Sequence, residues 1–151
     1  MITNNKLFLV IYGDIRNNIN YKLQSYFNNN VTITNTLRCT YVVNSIYYTG
    51  LPDKPVIEDN VELFLHGIVF PYNVTIDEFS DYPDLYLKRM IKQYRTDLSR
   101  LPYAIRNGSY CGVAYDVTND IFYAFTSFLN SIPLYYAQIG SSLLVSSDFC
   151  F

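Results

Sequence analysis

Few residues in this chain of 151 can do chemistry by type and spacing. The thiols are Cys39, Cys111 and Cys150, and the single imidazole is His66. The cysteines are odd in number, far apart and form no C-x-x-C pair, which argues against a disulfide framework and a zinc site alike. They read as buried free thiols. His66 stands beside Gly67 in the apolar run Val61 to Phe70, and a lone histidine there is more often a satisfied structural residue than a ligand. Asp81 and Asp84 bracket Tyr82-Pro83, where carboxylates suit the positive end of a helix dipole. Thr3 offers a hydroxyl near the start. Glycine-rich phosphate loops do not occur, so no nucleotide site is expected within these residues.

The elements that must position these groups follow from composition and pattern. Half of the residues are hydrophobic and 17% aromatic, as in an ordered globular chain. One domain spanning residues 1–151 is expected, large enough to bury a core without staples. The net charge of −2 gives neither sign a surplus that would draw a nucleic acid or an anionic membrane. Met1 to Lys6 carries no signal-peptide pattern, and the apolar run Leu7 to Tyr12 is too short to span a bilayer, so the expected location is the cytoplasm.

Lys6 to Tyr12 is apolar on both alternating faces and predicts a strand covered on each side, ended by Gly13-Asp14. Asn17 to Phe27 predicts a short helix. Val31 to Thr49, broken at Asn35 and Asn44, predicts two or three strands, and Gly50 to Pro55 a loop. Val61 to Phe70 predicts a long strand whose Gly67 marks a bulge or a close backbone approach. Thr75-Ile76-Asp77-Glu78 has capping-box spacing. The surest helix starts at Asp81 to Asp84, with Leu85, Leu87, Met90, Ile91 and Tyr94 along an apolar face and Lys88, Arg89, Lys92 and Arg95 toward water. Thr96 to Tyr103 reads as a connector. Four apolar runs between Asn107 and Asp148, separated by short polar breaks, predict a meander of four antiparallel strands. Pattern alone supports an α+β fold.

The order of these last residues resembles class II glutamine amidotransferase domains, especially those at the N-terminus of asparagine synthases. Such domains carry a block L-x-G-x-F-A-F-A-x-x-D, then L-x-x-A-R-D-x-x-G-x-x-P-L-Y, then L-x-x-A-S-E. Ile105-Arg106-Asn107-Gly108-Ser109-Tyr110-Cys111-Gly112-Val113-Ala114-Tyr115-Asp116 fits the first, Pro133-Leu134-Tyr135-Tyr136 the core of the second, and Leu144-Val145-Ser146-Ser147-Asp148 the third. The resemblance implies a four-layer αββα sandwich of two mainly antiparallel sheets, as in other N-terminal-nucleophile hydrolases.

The same resemblance implies where a glutaminase site would lie. The family's nucleophile is an N-terminal cysteine exposed by removal of methionine, its own amino group serving as base. Ile2 follows Met1 here, Thr3 would need two residues removed, and the strand places the nucleophile position nearer Leu7 or Phe8. The family's oxyanion hole comes from an N-G strand end; Gly67 fits and His66 replaces the asparagine, an imidazole able to donate one hydrogen bond. The arginine that clamps the glutamine carboxylate is missing from Asn44-Ser45-Ile46-Tyr47, with Arg38 upstream. The acid that meets the substrate amino group corresponds to Asp81 of Ser80-Asp81, with Asp84 as rival. The charges and glycine of A-R-D-x-x-G are gone from Phe125 to Asn130.

A scaffold kept while catalytic residues are lost is similar to the N-terminal domain of β-lactam synthetases. The implied role is a degenerate glutaminase domain without catalytic residues, acting as scaffold or docking a small-molecule or peptide substrate. Its partner would be a C-terminal synthetase domain in cis, which would use ATP and magnesium, and the apolar terminus Phe149-Cys150-Phe151 reads as a chain cut short. The alternatives are an active glutamine-hydrolysing amidotransferase using Thr3 or a rearranged site, and an unrelated small α+β interaction protein in which surface members of the 16 tyrosines serve as contacts.

Overall fold

The computed structural model describes residues 8–13, 31–44, 50–70, 83–105, 107–127 and 132–147. The chain divides into two compact units, one made of residues 1–48 and 134–151 and the other of residues 49–133. The architecture is α+β, with two antiparallel sheets and few helices. Among the described residues, no helix is long and apolar enough to cross a membrane.

The first unit holds β1 (Phe8–Tyr12), β2 (Val31–Asn35), β3 (Cys39–Asn44), β8 (Tyr135–Ile139) and β9 (Ser142–Ser146), in the order β2-β3-β1-β9-β8. β1 occupies the centre because its unbroken apolar run suits a position covered on both faces; Phe8, Leu9, Val10 and Ile11 are all buried. Leu9, Ile11 and Val42 form one core cluster, against which Val31, Ile33 and Leu144 pack. Thr36 closes the β2–β3 turn, accepting the Cys39 N–H on its side chain at 3.1 Å. The Ser146 hydroxyl donates to the Phe8 carbonyl at 2.9 Å, and the Phe8 N–H donates to the Ser147 hydroxyl at 3.2 Å.

The second unit holds β4 (Val56–Glu58), β5 (Val61–Phe70), β6 (Asn107–Asp116) and β7 (Ile121–Thr126) in that order across the sheet. Asp59 and Asn60 join β4 to β5 with φ of 48° and 59°, the paired positive values a two-residue hairpin turn requires. Helix α1 (Pro83–Tyr94), a 3₁₀ turn (Leu98–Arg100) and short helix α2 (Leu101–Ala104) cover one face. Tyr86, Leu87, Met90 and Ile91 are the buried stripe of α1, whereas Leu85 is exposed. Residues 86, 87, 90, 91 and 94 follow the 3.6-residue repeat and leave 85 outside it, so Tyr86 replaces Leu85 on the expected face. The expected connector is itself helical, with Leu98, Leu101 and Ile105 at spacings of three and four reaching the same core.

The meander expected from Asn107 to Asp148 is instead two hairpins in two sheets. β6 pairs β7 and β8 pairs β9, but the chain leaves the second unit between them and β9 pairs β1. Tight turns join each hairpin, whereas residues 127–134 are too many for one and include Pro133. An apolar β1 needs a neighbour on each edge, and β9 supplies the second. The helix expected at Asn17 to Phe27, the capping box at Thr75 to Glu78, Thr3 and Cys150 lie outside the described residues.

Two glycines control the ten-residue pairing of β5 with β6. Gly67 has φ +121° and Gly108 φ +139°, a region that side chains rarely adopt. A Cβ on Gly67 would meet the Ser109 carbonyl at 2.2 Å, and one on Gly108 would meet the Ile68 carbonyl at the same 2.2 Å. The close approach expected at Gly67 is thus present, and it is reciprocal.

The far end of this strand pair is fixed by charge. Arg95, at the end of α1, donates to Asp116 through both terminal nitrogens, at 2.8 and 3.3 Å, and through Nε to the Asp59 carbonyl at 3.0 Å. Asp116 also accepts the Thr118 and Asn119 N–H groups at 2.9 and 3.2 Å. Burial pushes the Asp116 carboxyl up, but the hydrogen bonds from Arg95 and Asn119 outweigh it and hold the group below the usual carboxylate range.

Two outcomes follow. Gly67→Ala and Gly108→Ala should each lower stability by about 2–4 kcal/mol in urea denaturation followed by circular dichroism; tolerance within about 0.5 kcal/mol would contradict the close approach. Because its folded pKa is depressed, Asp116 stabilises the fold above the unfolded value of about 4, and that contribution is lost as pH falls through the lower folded value. Asp116→Asn should therefore cost about 1–3 kcal/mol at pH 7, and the deficit should shrink below pH ~4. A deficit independent of pH would show that the charge has no part in it.

Candidate functional site

β5 carries the two residues that the resemblance assigns to an oxyanion hole. Val61, Leu63, Leu65 and Val69 join the core formed with Leu87 and Ile91 of α1. By the two-residue alternation of a strand, Glu62, Phe64 and His66 project from the opposite face, and all three are buried. The His66 Nε2 nitrogen is shielded from solvent.

Register then determines the neighbours of His66. It pairs directly with Cys111 of β6, and Cys111 pairs with Thr126 of β7. Imidazole, thiol and hydroxyl form a row across three neighbouring strands, with Cβ atoms of paired residues about 4.5–5.5 Å apart. By residue type this is a nucleophile beside a base. The environment decides otherwise. Cys111 is fully buried, and burial pushes its thiol up to about 12. Its Sγ makes a weak 3.9 Å contact with the backbone carbonyl of His66. Cys39 is likewise buried, in β3 of the other unit. Both are buried, as expected of the thiols.

Gly67 is followed across the ladder by Tyr110, whose hydroxyl donates to the Ile105 carbonyl and, at 3.2 Å, to that of Pro102. Burial, with Tyr86 nearby, raises its phenol to about 12, so it remains a proton donor that ties β6 to α2. The strained strand end at Gly67 and Gly108 is therefore held on its helix side by a buried hydrogen bond.

The remaining expected groups lie elsewhere. Asp84 is exposed in the first turn of α1, on the helix side of the sheet, and does not share a face with His66. Asp81 lies outside the described residues. Arg38 is exposed in the β2–β3 turn of the first unit, where its carbonyl accepts the Gly13 N–H at 3.0 Å. Among the described residues, no three His, Cys, Asp or Glu side chains cluster to hold a metal ion.

Sequence reasoning missed the cross-strand placement of Cys111 against His66 and the Arg95 bridge to Asp116. The first needed the register, which no single strand specifies. For the second, Asp116 ahead of Val117-Thr118-Asn119-Asp120 is a visible turn signal, but the identity of its cation is tertiary information.

Alkylation at pH 8 should leave Cys39 and Cys111 unmodified in the native chain and label both in urea, read by peptide mass mapping. Rapid native labelling of Cys111 would reveal a thiolate and restore the catalytic reading of the row.

Neither a protein-family model nor a curated protein matches the chain.

Proposed function

We propose that this chain is a degenerate glutaminase-like domain of the class II amidotransferase kind. In this reading it is the N-terminal part of an asparagine-synthase-related, ATP-dependent amide-forming ligase. The fold that goes with this reading is the family's four-layer αββα sandwich of two mainly antiparallel sheets. It serves as a scaffold or docks a small-molecule or peptide substrate, and does not hydrolyse glutamine. ATP and magnesium belong to a C-terminal synthetase domain in cis.

The observation that carries the reading is the meeting of two glycines. Gly67 corresponds to the glycine of the family's oxyanion strand, and Gly108 to the glycine of its next block. The two were matched by separate stretches of sequence. They sit two rungs apart on paired strands, Gly67 opposite Tyr110 and Gly108 opposite Val69 with the pair of Ile68 and Ser109 between them, and each has a φ that demands glycine. Two residues matched on sequence alone are thus needed by one backbone feature.

The loss of glutaminase activity is supported by what surrounds that feature. His66 takes the place of the asparagine donor, on a buried face. The described thiols are core residues. The stretch Asn44 to Tyr47 has no arginine, and Phe125 to Asn130 has neither the charges nor the glycine of the family signature. Loss of parts that act as a unit costs an enzyme several powers of ten, so the remnant is inert.

Incubation of the purified chain with glutamine should release no ammonia above buffer. Turnover that Thr3→Ala abolishes would replace this reading with that of an active amidotransferase. The ligase half is tested separately, by the coding sequence downstream of Phe151. It should encode a pyrophosphate-binding loop of the S-G-G-x-D-S kind, and a reading frame without one would exclude the synthetase partner.

A further inference from the structure

We draw no further inference here: the strongest candidate, the uncharged edge strand β8 with Tyr136 and Ile139 exposed, is an apolar edge for which nothing in the structure shows what covers it.

Discussion

The second unit depends on the register of β5 against β6. Ten residues pair in sequence, from Val61 with Asp116 to Phe70 with Asn107. A slip of one residue would turn Leu63 and Leu65 away from the helices and bring Glu62 and His66 among Leu87, Met90 and Ile91. The apolar pattern opposes that slip along the whole ladder. The glycines oppose it at one place, because only this register sets Gly67 and Gly108 where each strand's carbonyl fills the space of the other's missing Cβ. The constraint on the fold and the constraint on the candidate site are therefore the same set of hydrogen-bonded pairs.

At the other end of the ladder the two hairpin turns meet. The Val117 N–H donates to the Asn60 carbonyl at 2.9 Å, and the Arg95 guanidinium bonds Asp59 of one turn and Asp116 beside the other. α1 is thus held along its length by apolar packing and at its C-terminal end by a partly buried, bidentate charge pair, the stronger kind of ionic contact. Glu58 with Lys92 and Lys88 looks similar on paper. The hydrogen bond from Lys92 lowers the Glu58 carboxyl, but the lysines are largely exposed, and screening leaves that pair little to contribute.

Much of this was legible in the sequence, for reasons that separate local from tertiary information. β1, β3, β5 and α1 were visible because a two-sided apolar run, a β-branched run and a 3.6-residue stripe each have one dominant solution. β4 was missed although Asp59-Asn60 is hairpin chemistry, since three residues show no period. The meander failed where sequence is weakest. Strand-like runs identify strands but not their partners, and the demand of β1 for a second neighbour lies more than a hundred residues away from β9. At the candidate site, Gly67 was legible because its constraint is local. The environment of His66 was not, because it is set by Cys111 across the ladder.

That last contrast bears on how far residue types can be taken as chemistry. A histidine, a cysteine and a threonine on adjacent strands are the ingredients of nucleophilic catalysis, and no reading of the strands one at a time would separate them from a site. Burial pushes the Cys111 thiol up to about 12, so the neutral thiol is the favoured form at pH 7. An active nucleophile needs either a depressed pKa or a base able to take its proton, and the contact made here is to a backbone carbonyl, which can accept a hydrogen bond but not the proton. The row is consistent with core packing, since His66 and Cys111 are both buried.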